Sequence, residues 1–199
     1  IPTAAVNFVP TDDHVIMNLW EGFVRMAVFF IYIYAISRVK DIQRVFQYHG
    51  AEHKTIHAYE AGVELVPENV QKFSRLHPRC GTSFLLIVMV VSIFVFAFLG
   101  WPSLWERILS RVLLLPVVAG ISYEFIRFAG RSKNKIVHMF SLPGMWLQYL
   151  TTREPDDSMI EVAVKSLKAA IELEEVKETE TKAEAKPSVA NELKVNATI

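Results

Sequence analysis

Residues 44–60 read Arg44-Val45-Phe46-Gln47-Tyr48-His49-Gly50-Ala51-Glu52-His53-Lys54-Thr55-Ile56-His57-Ala58-Tyr59-Glu60, with three histidines and two glutamates inside the last twelve positions. On an α-helix turning about 100° per residue, His49, His53 and His57 fall at about 0°, 40° and 80°, Glu60 at about 20° and Glu52 at about −60°. All five lie on one side. Val39, Ile42, Val45, Phe46 and Ile56 extend that side in both directions. The ligand-type residues therefore continue what reads as the inward stripe of an amphipathic helix. Inward imidazoles and carboxylates must be hydrogen-bonded to neighbours or hold something.

His49-x-x-Glu52-His53 is the inverted zinc-protease spacing. Two histidines four apart can grip one metal from one helical face, with the glutamate near enough to act on water activated there. Five residues recur by chance, but His57 and Glu60 add two further candidates on the same face. The competing reading is a polar helix face hydrogen-bonded to neighbouring helices.

The surrounding chain points to a membrane. Of 199 residues 52% are hydrophobic, mean hydropathy is +0.27, and the apolar residues are bunched. The net charge of zero hides an asymmetry: residues 1–153 hold fifteen basic against ten acidic side chains, and residues 154–199 six against eleven. The basic residues flank apolar segments, as the positive-inside rule expects, and call for no nucleic acid. One cysteine forbids an intrachain disulfide. The chain opens on Ile1 and shows no charged-then-apolar signal peptide, so a fragment or processed form is expected.

Residues 1–14 form a polar, proline-punctuated lead-in. A membrane-embedded helical domain follows over 15–153, with a His-rich insertion at 37–82. Within it, 15–36 is long enough to span, interrupted by a Glu21/Arg25 pair at i,i+4. Residues 83–99, uncharged throughout, are the clearest span, and 112–128 the third. Gly100-Trp101-Pro102 breaks the chain between them. Residues 136–150 are short for a span and read as interfacial or re-entrant. Residues 154–176 form an amphipathic helix bearing Ile160, Val164, Leu167 and Ile171 on one face. Residues 177–199 are expected to be disordered. The expected fold is mainly α: an integral membrane protein with about three apolar spans, a cytoplasmic His-rich helix and a C-terminal amphipathic helix.

A hydrolytic zinc site needs three protein ligands and an open position. His49 and His53 supply two. Glu124, an ionisable residue in an apolar helix, is the first candidate for the third; a pair with Arg127 is its structural alternative. Glu52 is the candidate general base, and Lys54 or Arg79 could stabilise an oxyanion. His57, Glu60, His77 and Cys80 are reserve ligands or supporting partners. A His77-x-x-Cys80 turn joined to His53 and His57 would instead make a closed structural site. The cofactor expected is a divalent metal, zinc first.

RVFQYHGAEHKTIHAYE (44–60), LHPRCGTSF (76–84), GISYE (120–124) and PGMWLQYLTTREPDDSMIEV (143–162) occur in order and together resemble the YqhQ-like family of bacterial membrane proteins. The resemblance covers roughly residues 15–170 and implies an integral protein of the bacterial cytoplasmic membrane, in a family labelled a predicted metal-dependent enzyme. Family members carry an N-terminal glycine-rich segment and more apolar sequence. The resemblance thus implies partners in the lipid bilayer, in other membrane proteins, or in a missing N-terminal part of the same protein. Three functions remain open: a membrane-embedded metal-dependent hydrolase, a non-enzymatic scaffold or assembly factor, and a metal or haem carrier or transporter.

Seven basic residues in 37–82 and four in 129–153 place both segments on the cytoplasmic side. Cysteines introduced at positions 65 and 135 are expected to react with an impermeant maleimide from the same side. Labelling from opposite sides would exclude this topology.

Overall fold

The computed structural model describes residues 13–99, 103–132 and 134–184, and every regular element among them is helical. In order these are α1 (His14–Ile36), α2 (Lys40–Glu60), α3 (Pro67–Val70), α4 (Gly81–Ala97), α5 (Leu104–Arg131), α6 (Lys135–Thr151) and α7 (Asp157–Glu184). The lead-in up to position 12, the break at 100–102 and the tail from 185 lie outside the described residues.

The helices form two layers. In the first, α4 is central and packs against α1, α5 and α6. This explains its lack of an amphipathic pattern, since a helix surrounded by partners is apolar all round. At 17 residues α4 spans about 26 Å, short of the roughly 30 Å hydrocarbon thickness of a bilayer. The stretch that looked most like a span by composition is thus the one that falls short. Among the described residues two helical stretches are long and apolar enough to cross a membrane, His14–Ile36 with 23 residues and Ile108–Arg131 with 24. Many of their large apolar side chains face outward, among them Phe23, Ile31, Leu113 and Phe128. Asp13 starts α1 by accepting hydrogen bonds from the Val15 and Ile16 amides at 2.8 and 3.4 Å. Buried Glu21 pairs with Arg25 at 2.9 Å, as the i,i+4 spacing suggested, and also with Arg111 of α5 at 3.1 Å.

The second layer is a polar platform in which α2 lies along α7 and α3 touches both. Its core is Ala51, Ala58, Val70, Met159, Ile160 and Val164. Ala51 and Ala58 lie about 180–200° round α2 from His49, so the histidine face is not the face that packs the core. Val39 and Val45, read as part of an inward stripe, are exposed. The small residues Gly50, Ala51 and Ala58 let the neighbouring chain come close while contributing little to an apolar periodicity. An alanine Cβ at Gly50 would collide with the Arg153 carbonyl oxygen. The Arg153 amide itself donates to the Phe46 carbonyl at 2.8 Å.

The last helix continues past Val176 to Glu184. Residues 177–184 are therefore helical rather than disordered, because Glu and Lys favour helix even where no core is buried. The hydroxyls of Thr179 and Thr181 are satisfied by the carbonyls four residues back.

Gly50→Ala is expected to lower stability by about 1–3 kcal/mol or more, since the clash is with main chain rather than a movable side chain. Gly120→Ala, where the new methyl meets open space, should be neutral or stabilising. Melting of the two variants in detergent tests this; equal melting temperatures would contradict the close approach.

Candidate metal centre

The platform meets the bundle along the segment 71–80, and the histidine face of α2 looks onto that segment. Each imidazole of α2 is held by a main-chain carbonyl. His49 Nδ1 donates to Thr151 O at 2.9 Å, His53 Nδ1 to Arg75 O at 2.6 Å, and His57 Nε2 to Leu76 O at 2.9 Å. A carbonyl only accepts, so these contacts set the tautomers and leave His49 Nε2, His53 Nε2 and His57 Nδ1 as lone-pair sites when the rings are neutral. The rings of His49 and His53 lie 4.4 Å apart, those of His57 and His77 4.7 Å.

Helix α6 fixes the opposing loop. Gln148, fully buried, accepts from the His77 amide at 2.8 Å and donates to the His77 carbonyl and to Ser83 Oγ, both at 2.8 Å. Arg75 reaches Thr152 Oγ1 at 2.8 Å and Glu154 at 3.2 Å. Cys80 caps the N-terminus of α4, its sulfur 3.4 Å from the Thr82 amide and 3.3 Å from His49 Nε2. Burial would raise the Cys80 thiol pKa, but hydrogen bonds from His49, His53 and Thr82 outweigh burial and bring it down to about 5. The same Cys80 contact raises His49, against the opposing effect of its burial. That lowered value belongs to the state in which an imidazole carries a second proton and donates its Nε2–H to the sulfur; a bound metal would displace this proton and take the thiolate and the freed lone pair together.

Two groups of side chains have ligand atoms mutually within 4.8 Å and could hold a metal ion: His49, His53 and Cys80, and beside them His57, Glu60 and His77. The first fits a metal well. Two lone-pair nitrogens and a thiolate converge, and each ring's other nitrogen is fixed by a carbonyl, the usual outer support of a histidine ligand. The 3.3 Å Cys80–His49 separation is close to the roughly 3.5 Å edge between sulfur and nitrogen on a tetrahedral zinc. The second group fits less well. His77 Nδ1 accepts from the Arg79 amide at 3.2 Å, so its Nε2 carries the proton. That Nε2–H is buried without a hydrogen-bond partner, 3.8 Å from Glu60 Oε2. Burial first, then the nearby His57 and His53, lower the His77 pKa to about 4, so it stays neutral.

The first group, with Glu60 and His77 of the second, borders a cavity of 260 Å³ that Glu52, Ile56 and Arg79 also line. Glu52 is exposed on its rim. Arg79 is ion-paired to Glu60. Lys54 is elsewhere: buried on the core side of α2, it bonds Gln71 O and Glu154 at 2.9 Å each, and so is no oxyanion donor. Glu124 is in neither ligand group. Val118, Ser122 and Ile126 form the buried edge of α5, and Glu124 lies about 200° beyond Ser122, exposed and 3.4 Å from Arg127. The side chain grouped with His49 and His53 is Cys80. Nor do His77 and Cys80 join one closed site, since they belong to different groups. Gln148 and Thr151 escaped notice in the sequence. A lone glutamine in the apolar run 136–150 was the available signal.

The family described as "Protein of unknown function (DUF1385)" matches residues 1–173. The chain is 42% identical over 163 residues to the uncharacterised protein YqhQ of Bacillus subtilis (strain 168), covering 81% of this chain and 51% of that protein. It thus spans about half the length of this curated relative. No solved structure matches.

In metal-free protein, thiolate absorbance near 240 nm is expected to titrate with a midpoint at about pH 5, against about 8.5 for a free thiol. Because the folded pKa is lowered, the associated stabilisation is complete above the unfolded thiol pKa and is lost as pH falls through 5. His49→Asn should move the midpoint upward. A wild-type midpoint above pH 8 would refute the Cys80–His49 pairing.

Proposed function

Since the chain belongs to the DUF1385, YqhQ-like family, which brings no activity with it, we propose from the site itself that it is a membrane-embedded, zinc-dependent hydrolase. The carrying observation is the convergence of His49, His53 and Cys80 beside a cavity that also holds a carboxylate. Nitrogen and thiolate donors favour zinc over harder cations. Three ligands, rather than four, leave a position for water or substrate. A bound zinc would supply Lewis acidity and a water of lowered pKa.

The chain's own residues do the rest. Glu52, on the cavity rim, takes the proton from the attacking water. His77 offers a neutral, buried, otherwise unsatisfied N–H to the oxygen on which negative charge develops. Arg79, already fixed by Glu60, adds positive charge to the same wall. His57, bound to the Leu76 carbonyl, supports the row of rings. The outward apolar faces of α1 and α5 favour insertion in the bacterial cytoplasmic membrane. The basic residues of 37–82 favour a cytoplasmic platform.

A second reading has one observation behind it. The Cys80 thiolate and His49 also make a nucleophile–base pair at 3.3 Å. Zinc would protect the thiol from iodoacetamide in the first reading and should be absent in the second.

Elemental analysis of the full chain in detergent is expected to find one zinc per chain, lost in His49→Ala and Cys80→Ser and kept in Glu124→Gln. Glu52→Gln should keep zinc and lower hydrolysis of ester reporters by about 10²–10⁴-fold. In cobalt-substituted protein, azide should perturb the visible spectrum by entering the open position. Absence of metal, or a spectrum insensitive to azide, would overturn the hydrolase.

A further inference from the structure

Beyond the metal-ligating cavity lies a larger one of 410 Å³, and the two share the wall Arg79-Cys80-Gly81. Their linings differ in kind. The first holds histidines and glutamates. The second has the guanidinium-bearing residues Arg79, Arg127 and Arg131 over a floor of Phe84, Tyr123 and Ile126. Tyr123, Arg127 and Arg131 are spaced by four on α5 and so share one edge of the helix. They stand at its last turns, where the apolar stretch Ile108–Arg131 ends. Arg79 reaches this edge across bare main chain: a Cβ at Gly130 would lie 2.8 Å from Arg79 Cγ. The absent side chain of Gly130 therefore lets Arg79 serve both cavities.

We propose that this cavity binds the phosphate head group of a membrane lipid and presents that lipid to the His49–His53–Cys80 centre. The proposal rests on the hydrolase reading and names its substrate class. Three lines of argument converge. Planar guanidiniums match the several acceptor oxygens of a phosphate, and three of them match its charge better than that of a single carboxylate. The floor is apolar, and the exposed Val112 and Leu115 lie further along α5 on the same side as Tyr123 and Ile126, so a lipid tail has a surface to follow. The volume lies in the range of small-molecule sites. Glu60 and Glu124, the present partners of Arg79 and Arg127, are exposed or half-exposed, so a phosphate competes with surface ion pairs that are worth little.

Calorimetric titration of the full chain in detergent tests this with dioctanoyl phosphatidic acid as probe. Saturable binding is expected, weakened about tenfold or more by Arg127→Gln/Arg131→Gln and largely restored by the two lysines. Both positions are exposed, so the fold and zinc content should be unchanged. Inorganic phosphate should compete weakly, and dioctanoylglycerol and octanoate should not bind. Phosphate binding as tightly as phosphatidic acid would mean a site for free phosphate and overturn the lipid. Octanoate or dioctanoylglycerol binding equally well, or arginine variants with unaltered affinity, would also overturn it. Zinc analysis of the same preparation, before any chelator is added, separates the two readings. A protein without zinc that still binds the lipid through its arginines loses the hydrolase but keeps the cavity. A zinc protein blind to the lipid loses the cavity alone.

Discussion

Hydrogen bonds from imidazole N–H groups to main-chain carbonyls of other segments organise the site. His49, His53 and His57 each donate one ring N–H to a main-chain carbonyl, which puts the lone pair of the neutral ring on its other nitrogen. The accepting carbonyls belong to Thr151, Arg75 and Leu76, from two segments that α2 does not contain. Those segments are themselves held. Gln148 grips both main-chain groups of His77, and Arg75 is tied to Thr152. Disturbing Gln148 should therefore harm the histidines, although it touches none of their rings.

The bundle solves a different problem with the same economy. An acid buried among apolar helices is tolerable only when paired, and Glu21 has two arginines around it, one from its own helix and one from α5. Breaking such an arrangement by removing one member is far worse than never having built it. The trio ties α1 to α5 toward the end of the bundle away from the platform.

What could be read in the sequence was local. The 3.6-residue period put His49, His53 and His57 on one face, and the Glu21/Arg25 spacing announced its own ion pair. The third member of the His49–His53 group was not local. Glu124 looked functional because an acid in an apolar helix demands explanation, yet Arg127 supplies one a single turn away. Cys80 carried a quieter signal: it stands just ahead of an uncharged helix, where a thiolate gains from the helix N-terminus. Lys54 misled because alanine and glycine neighbours hide a packed face that branched residues would have advertised. The shortness of α4 shows the same limit in reverse. Uniform apolarity marks a helix with partners on all sides as readily as one in lipid.

The contacts that orient the site join parts of the chain made far apart in time. His49 bonds to a carbonyl 102 positions later in the sequence. At about 5–20 residues per second, a ribosome needs roughly 5–20 s to cover that distance. Throughout this interval the imidazoles of the nascent α2 have no carbonyl from Thr151, and its alanine face has no Ile160 or Val164 to cover it. The centre therefore matures after translation has passed α7, late in biogenesis, and newly made chains pass through a stage in which the histidines are open to any ion or chaperone that meets them.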